Sequence, residues 1–337
     1  MEQYLFCDWS EKFLLYKQNK VSAGHYKSLS TAAAHANDFF GNRKLCEITA
    51  HDIDNMMYSP DLLNYRTGKP LSRKSIKNVR DVIAAIFDFA AEDVPNICLK
   101  NPAKGRRVPT DALVSKREAI PLPLQQLLVA NSYHGMHLAS MIMLLCGLRR
   151  GELIPLLWTD IDFENRLLSV SKTVVEKGRS FIVKIGRAKT ASSLRKIPIP
   201  AVLLALLKEK LSSAVSPYIC PDEKGEIHTP ATWHRDWKTY NLYLQNQYKV
   251  QIVGMPQIPA GANIIHITPH QLRHTYATIL FNAGVDVLSA AKFLGHKNPE
   301  TTIKIYTHLQ REKEVNVVSL YNAYVSKILA TFSGVSL

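Results

Sequence analysis

Long apolar runs are missing from this chain of 337 residues. The longest, Met141 to Cys146 with its neighbours, falls far short of the roughly 18 to 20 residues that span a bilayer, so it reads as a buried core helix and no membrane role is expected. The opening stretch, Met1 to Trp9, lacks a basic n-region and a small-residue cleavage site, and no secretory signal is expected. Cysteine is scarce: Cys7, Cys46, Cys98, Cys146 and Cys220 are odd in number, scattered, and never in a C-x-x-C pair. That pattern speaks against a disulfide framework and for free thiols in a reducing cytoplasm. Acidic residues are outnumbered, 28 against 42 basic ones, and the formal charge of +14 favours a polyanionic partner such as DNA, RNA or an anionic membrane surface. Charge alone is weak, because many basic proteins merely stay soluble this way. Internal repeats and low-complexity tracts are absent.

What is present is a chain with 46% apolar residues, enough for two domains with ordinary cores. The clearest break is Asn101-Pro-Ala-Lys-Gly-Arg-Arg-Val-Pro109, a basic stretch containing Pro and Gly between two regions of strong periodicity. Reading it as the linker divides the chain into 1–108 and 109–337. Upstream, residues 3–19, 23–40, 49–59 and 72–92 read as helices, the last with Ser72 as N-cap and Ile76, Val79, Ile83, Ile86, Phe87 and Ala90 at helical spacing. The first domain is therefore expected to be all-helical. Its last helix and the preceding loop carry Arg66, Lys69, Arg73, Lys74, Lys77 and Arg80, which form either a solvated charged face or a phosphate-contacting one.

Downstream the pattern is mixed α+β: helices near 123–131 and 136–146, β-branched segments near 167–175, 180–185 and 194–199, then helices again. A helix from residue 269 has Thr268 as N-cap, Pro269 at its first position and Gly284 past its end. Asp286 and Gly295 bracket a short helix, and Asn298-Pro299-Glu300 can start another. The Gln245–Ile265 region is expected to be long and irregular.

Four clusters carry the chemistry. In Cys146-Gly-Leu-Arg-Arg-Gly-Glu-Leu153, Gly147 can end the apolar helix and place Arg149 and Glu152 three residues apart on a tight turn. A guanidinium fork suits phosphate oxygens, and Glu152 can orient it or a backbone amide, though a local ion pair would look the same. In Thr268-Pro-His-Gln-Leu-Arg-His-Thr275, His270 and Arg273 share one face of a first helical turn, itself a plausible phosphate seat. His270 and His274 also have a zinc-type spacing, but neither an H-E-x-x-H pattern nor an obvious third ligand accompanies them. Third, Leu294-Gly-His296 precedes Tyr306 by ten residues, counting from His296; the 286–306 segment can also be read as a DNA-binding helix-turn-helix without any chemistry. Fourth, Gly186-Arg-Ala-Lys-Thr-Ala-Ser-Ser-Leu-Arg-Lys-Ile-Pro198 puts Lys189 at a polar turn between strand-like segments, where a lysine is either solvated or a proton donor reaching into a cleft.

Together these clusters resemble the tyrosine recombinase (phage integrase) family in order, spacing and residue type, from about residue 4 to about 325. The G-L-R-x-G-E box is matched by Gly147 to Glu152, H-x-L-R-H by His270 to His274, L-G-H by Leu294 to His296 and Y-T-H by Tyr306 to His308. The family's hairpin lysine resembles Lys189-Thr190, followed by Ser192 or Ser193 and Arg195. The resemblance implies a SAM-like helical core-binding domain over 1–108 that clamps DNA, with Arg73, Lys74, Lys77 and Arg80 at its contact face. It implies a mainly helical α+β catalytic domain of the DNA breaking-rejoining type over 109–337.

By the same resemblance Tyr306 is the nucleophile that forms a 3′-phosphotyrosyl link, and Arg149, Arg273, His270 and His296 handle the phosphate. Lys189 is then the acid for the leaving 5′-oxygen, His270 the acceptor of the tyrosine proton, and Glu152 a supporting group. Neither a cofactor nor a metal ion is expected, since two arginines and a lysine supply the positive charge. The implied partners are double-stranded DNA at attachment sites, other copies in a homotetrameric synapse formed from a free monomer, and accessory DNA-bending or directionality proteins. The tail from about 310, including Val315 to Leu329, resembles the segment that docks on a neighbouring protomer, or else packs on its own domain. A type IB topoisomerase would share the chemistry, but the first domain and the intact H-x-L-R-H and L-G-H boxes favour a recombinase. No arm-type domain is recognised before the first helix.

Overall fold

Helix-capping residues and apolar spacing set most of the elements. The computed structural model describes residues 4–94, 100–113, 119–130, 134–177, 180–185, 194–251, 266–296 and 298–313. Two compact units divide between Lys116 and Arg117.

In the first unit, α1 (Phe6–Gln18) buries Phe6, Trp9 and Phe13 on one stripe. The Ser22 side chain accepts from the His25 N–H at the start of α2 (Ala23–Phe40). Thr49 and Asp52 form a reciprocal capping box on α3 (Ala50–Tyr58), and Ser72 accepts from the Ser75 N–H at the start of α4 (Arg73–Asp93). These caps satisfy amides that the first helical turn leaves unpaired. The apolar stripe of α4, with Val79, Ile83, Ile86 and Phe87, closes the core against Phe6, Phe40 and Ile53.

The Asn101–Pro109 stretch, expected as the linker, packs on this unit, and the division falls beyond the expected 108/109 boundary. Asn101 donates to the Ala84 carbonyl and to Asp88, Ala103 is buried, and Arg106 forks onto Asp54. Those bonds hold the stretch against α3 and α4.

The second unit is built around α6 (His137–Cys146), which is buried on nearly every side. An all-round apolar helix of this length must sit inside a core. Ahead of it lies α5 (Leu122–Ala130), and α7 (Arg150–Leu153) follows directly. A three-stranded antiparallel sheet orders β1 (Ile161–Asp162), β2 (Leu167–Val170) and β5 (Arg195–Pro198) so that Leu168 faces both Ile161 and Ile197. A separate hairpin pairs β3 (Lys172–Lys177) with β4 (Ser180–Ile185). The segment read as one strand over 167–175 is thus two, because the backbone changes hydrogen-bonding partner at Ser171, from β5 to β4.

Then come α8 (Ala201–Ser212), α9 (Pro230–Gln251), α10 (Pro269–Asn282), α11 (Val287–Leu294) and α12 (Glu300–Lys313). Helix α9 continues through residue 251, so the first part of the Gln245–Ile265 region, expected to be irregular, is helical; residues 252–265 lie outside the described residues. Thr268 and Gln271 make a capping box on α10, and Asp286 accepts from the Leu288 and Ser289 N–H groups on α11. Among the described residues, no helix is long and apolar enough to cross a membrane. The tail from residue 314 lies outside them.

Candidate active site

Two left-handed glycines shape the site. Gly147 ends α6 at φ 66°, and a Cβ there would lie 2.1 Å from Cδ1 of Tyr276. Both the backbone angle and the ring therefore demand glycine. The chain turns straight into α7, and the carboxylate of Glu152 accepts from the Arg149 backbone N–H at 2.8 Å and from Arg149 Nη1 at 2.8 Å.

Gly295 ends α11 at φ 61° and packs its Cα against Arg195, whose Nη1, Cζ and Nε would lie 2.8 to 3.1 Å from any added Cβ. At this helix end three successive carbonyls each accept from a different arginine. Phe293 O takes Arg195 Nε at 2.7 Å, Leu294 O takes Arg273 Nη2, and Gly295 O takes Arg149 Nη2 at 3.0 Å. The end of a helix carries partial negative charge and unpaired carbonyls, so cations are favoured there. Arg273 also donates through Nη1 to Gly147 O at 2.7 Å, tying the two glycine turns together.

One carboxylate offsets the three guanidiniums. Glu152 accepts both forks of Arg195, at 3.1 and 2.8 Å, and lies 4.0 Å from Arg273. Burial opposes its ionisation, but the hydrogen bonds and charge of Arg195, then the charge of Arg149, hold it down at about 2. Burial, then repulsion from Arg149, lowers Arg273 to about 9, which leaves it charged at neutral pH. Burial followed by the charges of Arg273, Arg149, Arg195 and His270 lowers His296 to about 4. Its imidazole is therefore neutral at pH 7, with Nδ1 2.7 Å from the hydroxyl of the fully buried Thr302.

The structure brings Arg149, Glu152, Arg273 and His296 into one hydrogen-bonded and electrostatic cluster. His270 is exposed on the first turn of α10, close enough for its charge to bear on His296. Tyr306 lies on α12, where its ring meets Phe281 and the apolar cluster of Leu280, Ala290 and Leu294. Its buried hydroxyl has no hydrogen-bond partner among the described residues. Burial, then the charge of Asp286, raises it to about 12. Lys189 lies outside the described residues, as does the tail segment Val315 to Leu329.

Of the basic residues in the first unit, Arg73 and Lys74 are exposed, while Lys77 pairs with Asp81 at 2.5 Å. Arg80 is engaged with Asp81 and the Arg106 carbonyl, and its side chain is only 18% exposed. Among the described residues, no three His, Cys, Asp or Glu side chains are gathered as a metal site would require.

Two residues of this cluster escape sequence reasoning as participants. The resemblance gives Arg195 a place in a family box but no role; its signal is the period of two, since Arg195 shares the inward register of β5 with Ile197. Thr302 offered no signal beyond its place ahead of Tyr306.

The model of the phage integrase family matches residues 123–313. The chain is 30% identical over 278 residues to a tyrosine recombinase XerC-like protein of Caldanaerobacter subterraneus subsp. tengcongensis, an alignment covering 77% of this chain and 68% of that one. It is 27% identical over 289 residues to the ICEBs1 integrase of Bacillus subtilis, covering 83% and 72%. Among solved structures, the Tn1549 transposon integrase in complex with transposon right end DNA superposes with a TM-score of 0.72 at 21% identity, covering 93% of this chain and 99% of that one. A lambda integrase tetramer bound to a Holliday junction gives 0.59 at 18%, covering 87% and 77%. At these identities the superpositions speak for the fold, while the family model and the first relative, each spanning more than half of the chain, speak for descent. This chain belongs to the phage integrase family and is a site-specific recombinase of the tyrosine type.

Proposed function

We propose that the chain cuts and rejoins duplex DNA at specific attachment sites through a 3′-phosphotyrosyl link to Tyr306, in the service of a mobile element. The observation that carries this reading is the convergence of Arg149, Arg273 and His296 on the end of α11. Two guanidiniums and a neutral imidazole held there suit a phosphodiester, whose charge grows as phosphorus becomes five-coordinate. Tyr306 Oη attacks phosphorus, the bond to the 5′-oxygen breaks, and the phosphodiester becomes a phosphotyrosyl ester without net hydrolysis. Rejoining reverses the exchange, so no ATP is consumed.

Arg149 and Arg273 clamp the non-bridging oxygens, and His296 adds a hydrogen bond through Nε2 while Thr302 holds Nδ1. His270 accepts the tyrosine proton, and Lys189 protonates the leaving 5′-oxygen. Loss of either arginine lowers the rate on the order of 100- to 1,000-fold. The apolar surroundings of Tyr306 keep its hydroxyl protonated, and attack requires α12 to carry the ring out of that cluster.

The first unit serves as the other half of a DNA clamp, with Arg73 and Lys74 free to meet phosphates. The tetrameric form of lambda integrase on a Holliday junction supports a tetrameric synapse here, assembled from monomers on DNA, with accessory DNA-bending or directionality proteins setting the outcome. Relatives from bacteria and their mobile elements support a cytoplasmic setting.

A nicked suicide duplex tests the reading. The unaltered protein gives a denaturation-resistant adduct with DNA and Tyr306→Phe gives none. An adduct formed by Tyr306→Phe would overturn the nucleophile.

A further inference from the structure

We infer that Arg195 is a positioning residue of the cleavage site, setting the angle of the Arg149 guanidinium through Glu152 and through the end of α11 without itself meeting DNA. The inference rests on the proposed reaction and goes beyond the residues assigned to it.

The Arg195 side chain is 2% exposed, a burial that a guanidinium tolerates only when its donors are satisfied. Here both forks meet Glu152 and Nε meets the Phe293 carbonyl. A planar, two-point contact of this kind fixes the carboxylate in orientation as well as in place. Each oxygen so fixed has a second duty: Oε1 takes Arg149 Nη1, and Oε2 takes the Arg149 backbone N–H. The Arg149 side chain is 45% exposed, and among the described residues it is held by Glu152 and the Gly295 carbonyl. Arg195 braces both, the first by its forks and the second by packing beneath the Gly295 Cα.

Charge gives the same assignment. Three guanidiniums against one carboxylate leave two positive charges, matching the two negative charges of a five-coordinate phosphodiester transition state. Without Arg195, one positive charge remains, and Glu152 competes with the phosphate for Arg149. Because β5 supplies Arg195, α7 supplies Glu152 and α11 supplies the carbonyls, this one side chain registers three elements that are distant in sequence.

The test measures single-turnover adduct formation on a nicked duplex, duplex affinity, thermal melting and the pH dependence of the adduct rate, for the unaltered protein, Arg195→Gln and Arg195→Lys. Misplacing Arg149 is expected to slow adduct formation by about 10- to 100-fold in both variants while duplex affinity stays within about threefold. Arg195→Lys does not rescue the rate, because an ammonium cannot make the two-point contact. Glu152 faces Arg149, Arg195 and Arg273, with His296 and His270 beyond them; losing its two-point partner lets it take up a proton more readily, and the variants gain an acidic limb in the rate profile. A merely structural role would lower the melting temperature and leave the rate profile of the folded protein unchanged.

Rates and profiles equal to those of the unaltered protein, in either folded variant, overturn the inference. Failure of both variants to fold also overturns it, in favour of a structural role; if only Arg195→Gln fails, Arg195→Lys decides. Absence of an adduct from the unaltered protein overturns the proposed reaction itself, and this inference with it.

Discussion

Tyr306 lies edge-on to Phe281, ring centroids 5.0 Å apart and planes inclined at 77°. Edge-to-face contact stabilises the ring where it sits, but the hydroxyl gains nothing: it is buried among apolar groups with no hydrogen-bond partner among the described residues. A buried polar group left unpaired costs roughly 1 to 3 kcal/mol. Tyr306→Phe is therefore expected to raise stability in urea by about 1 kcal/mol while abolishing the covalent adduct. A fall in stability of that size would show that the hydroxyl has a partner in solution.

Gly147 and Gly295 give a graded pair. Both have positive φ, which costs a residue with a Cβ about 1 kcal/mol or more. At Gly147 the added carbon also overlaps the Tyr276 ring, held between packed helices; at Gly295 it meets the tip of Arg195. Gly147→Ala is expected to cost about 3 kcal/mol or more, and Gly295→Ala about 2 kcal/mol, since the clash there is with a side-chain tip and is relieved by a small shift shared between the Gly295 backbone and Arg195. Adduct formation is the discriminating measurement. Gly295→Ala should slow it beyond what unfolding explains, because the shift falls on the carbonyl that holds Arg149.

The limits of legibility follow from what each signal encodes. The starts indicated by Ser72, Thr268 and Asp286 are local chemistry, written within three residues, and the helices begin where they indicate. Pairing partners are not local, so the change at Ser171 from one sheet to another could not be read from β-branched content. The same distinction holds in the site. Arg149 and Glu152 sit three residues apart and their contact could be anticipated, whereas Arg195 reaches Glu152 across 43 residues and Phe293 across 98. The state of Tyr306 was not legible either, because its position in a motif says nothing of the apolar cluster around it.

His296 supplies a pH test. Its proton affinity is lowered in the folded protein to about 4, against an ordinary value near 6.5, so the folded state binds its proton more weakly than the unfolded chain does. The resulting stability is present above pH 6.5 and is lost as pH falls from 6.5 through about 4. An NMR titration of the His296 imidazole should show no midpoint near 6.5 and a neutral ring at pH 7. A midpoint at or above 6.5 would mean that neither burial nor the three guanidiniums bear on the ring in solution. Thr302→Val removes the hydroxyl that holds Nδ1, and should lower the adduct rate by about 10-fold with duplex affinity unchanged.

Exposed and engaged cations on α4 should differ in kind. Lys74 is exposed, and as a phosphate contact its loss releases one fewer counterion on binding. Lys74→Ala is expected to weaken duplex affinity evenly across sequences and to reduce the slope of log affinity against log salt by about 1. Arg80 is tied to Asp81 and to the Arg106 carbonyl, inside the stretch whose own arginine pairs with Asp54. Arg80→Ala should leave the salt slope unchanged and cost about 1 to 2 kcal/mol of stability, because the Arg106 carbonyl loses its donor and Asp81 keeps only Lys77. The comparison decides which face of α4 meets DNA. A reduced salt slope in Arg80→Ala would mean that Arg80 leaves Asp81 for a phosphate when duplex binds, and that the pairing in the free protein is a resting arrangement of the contact face.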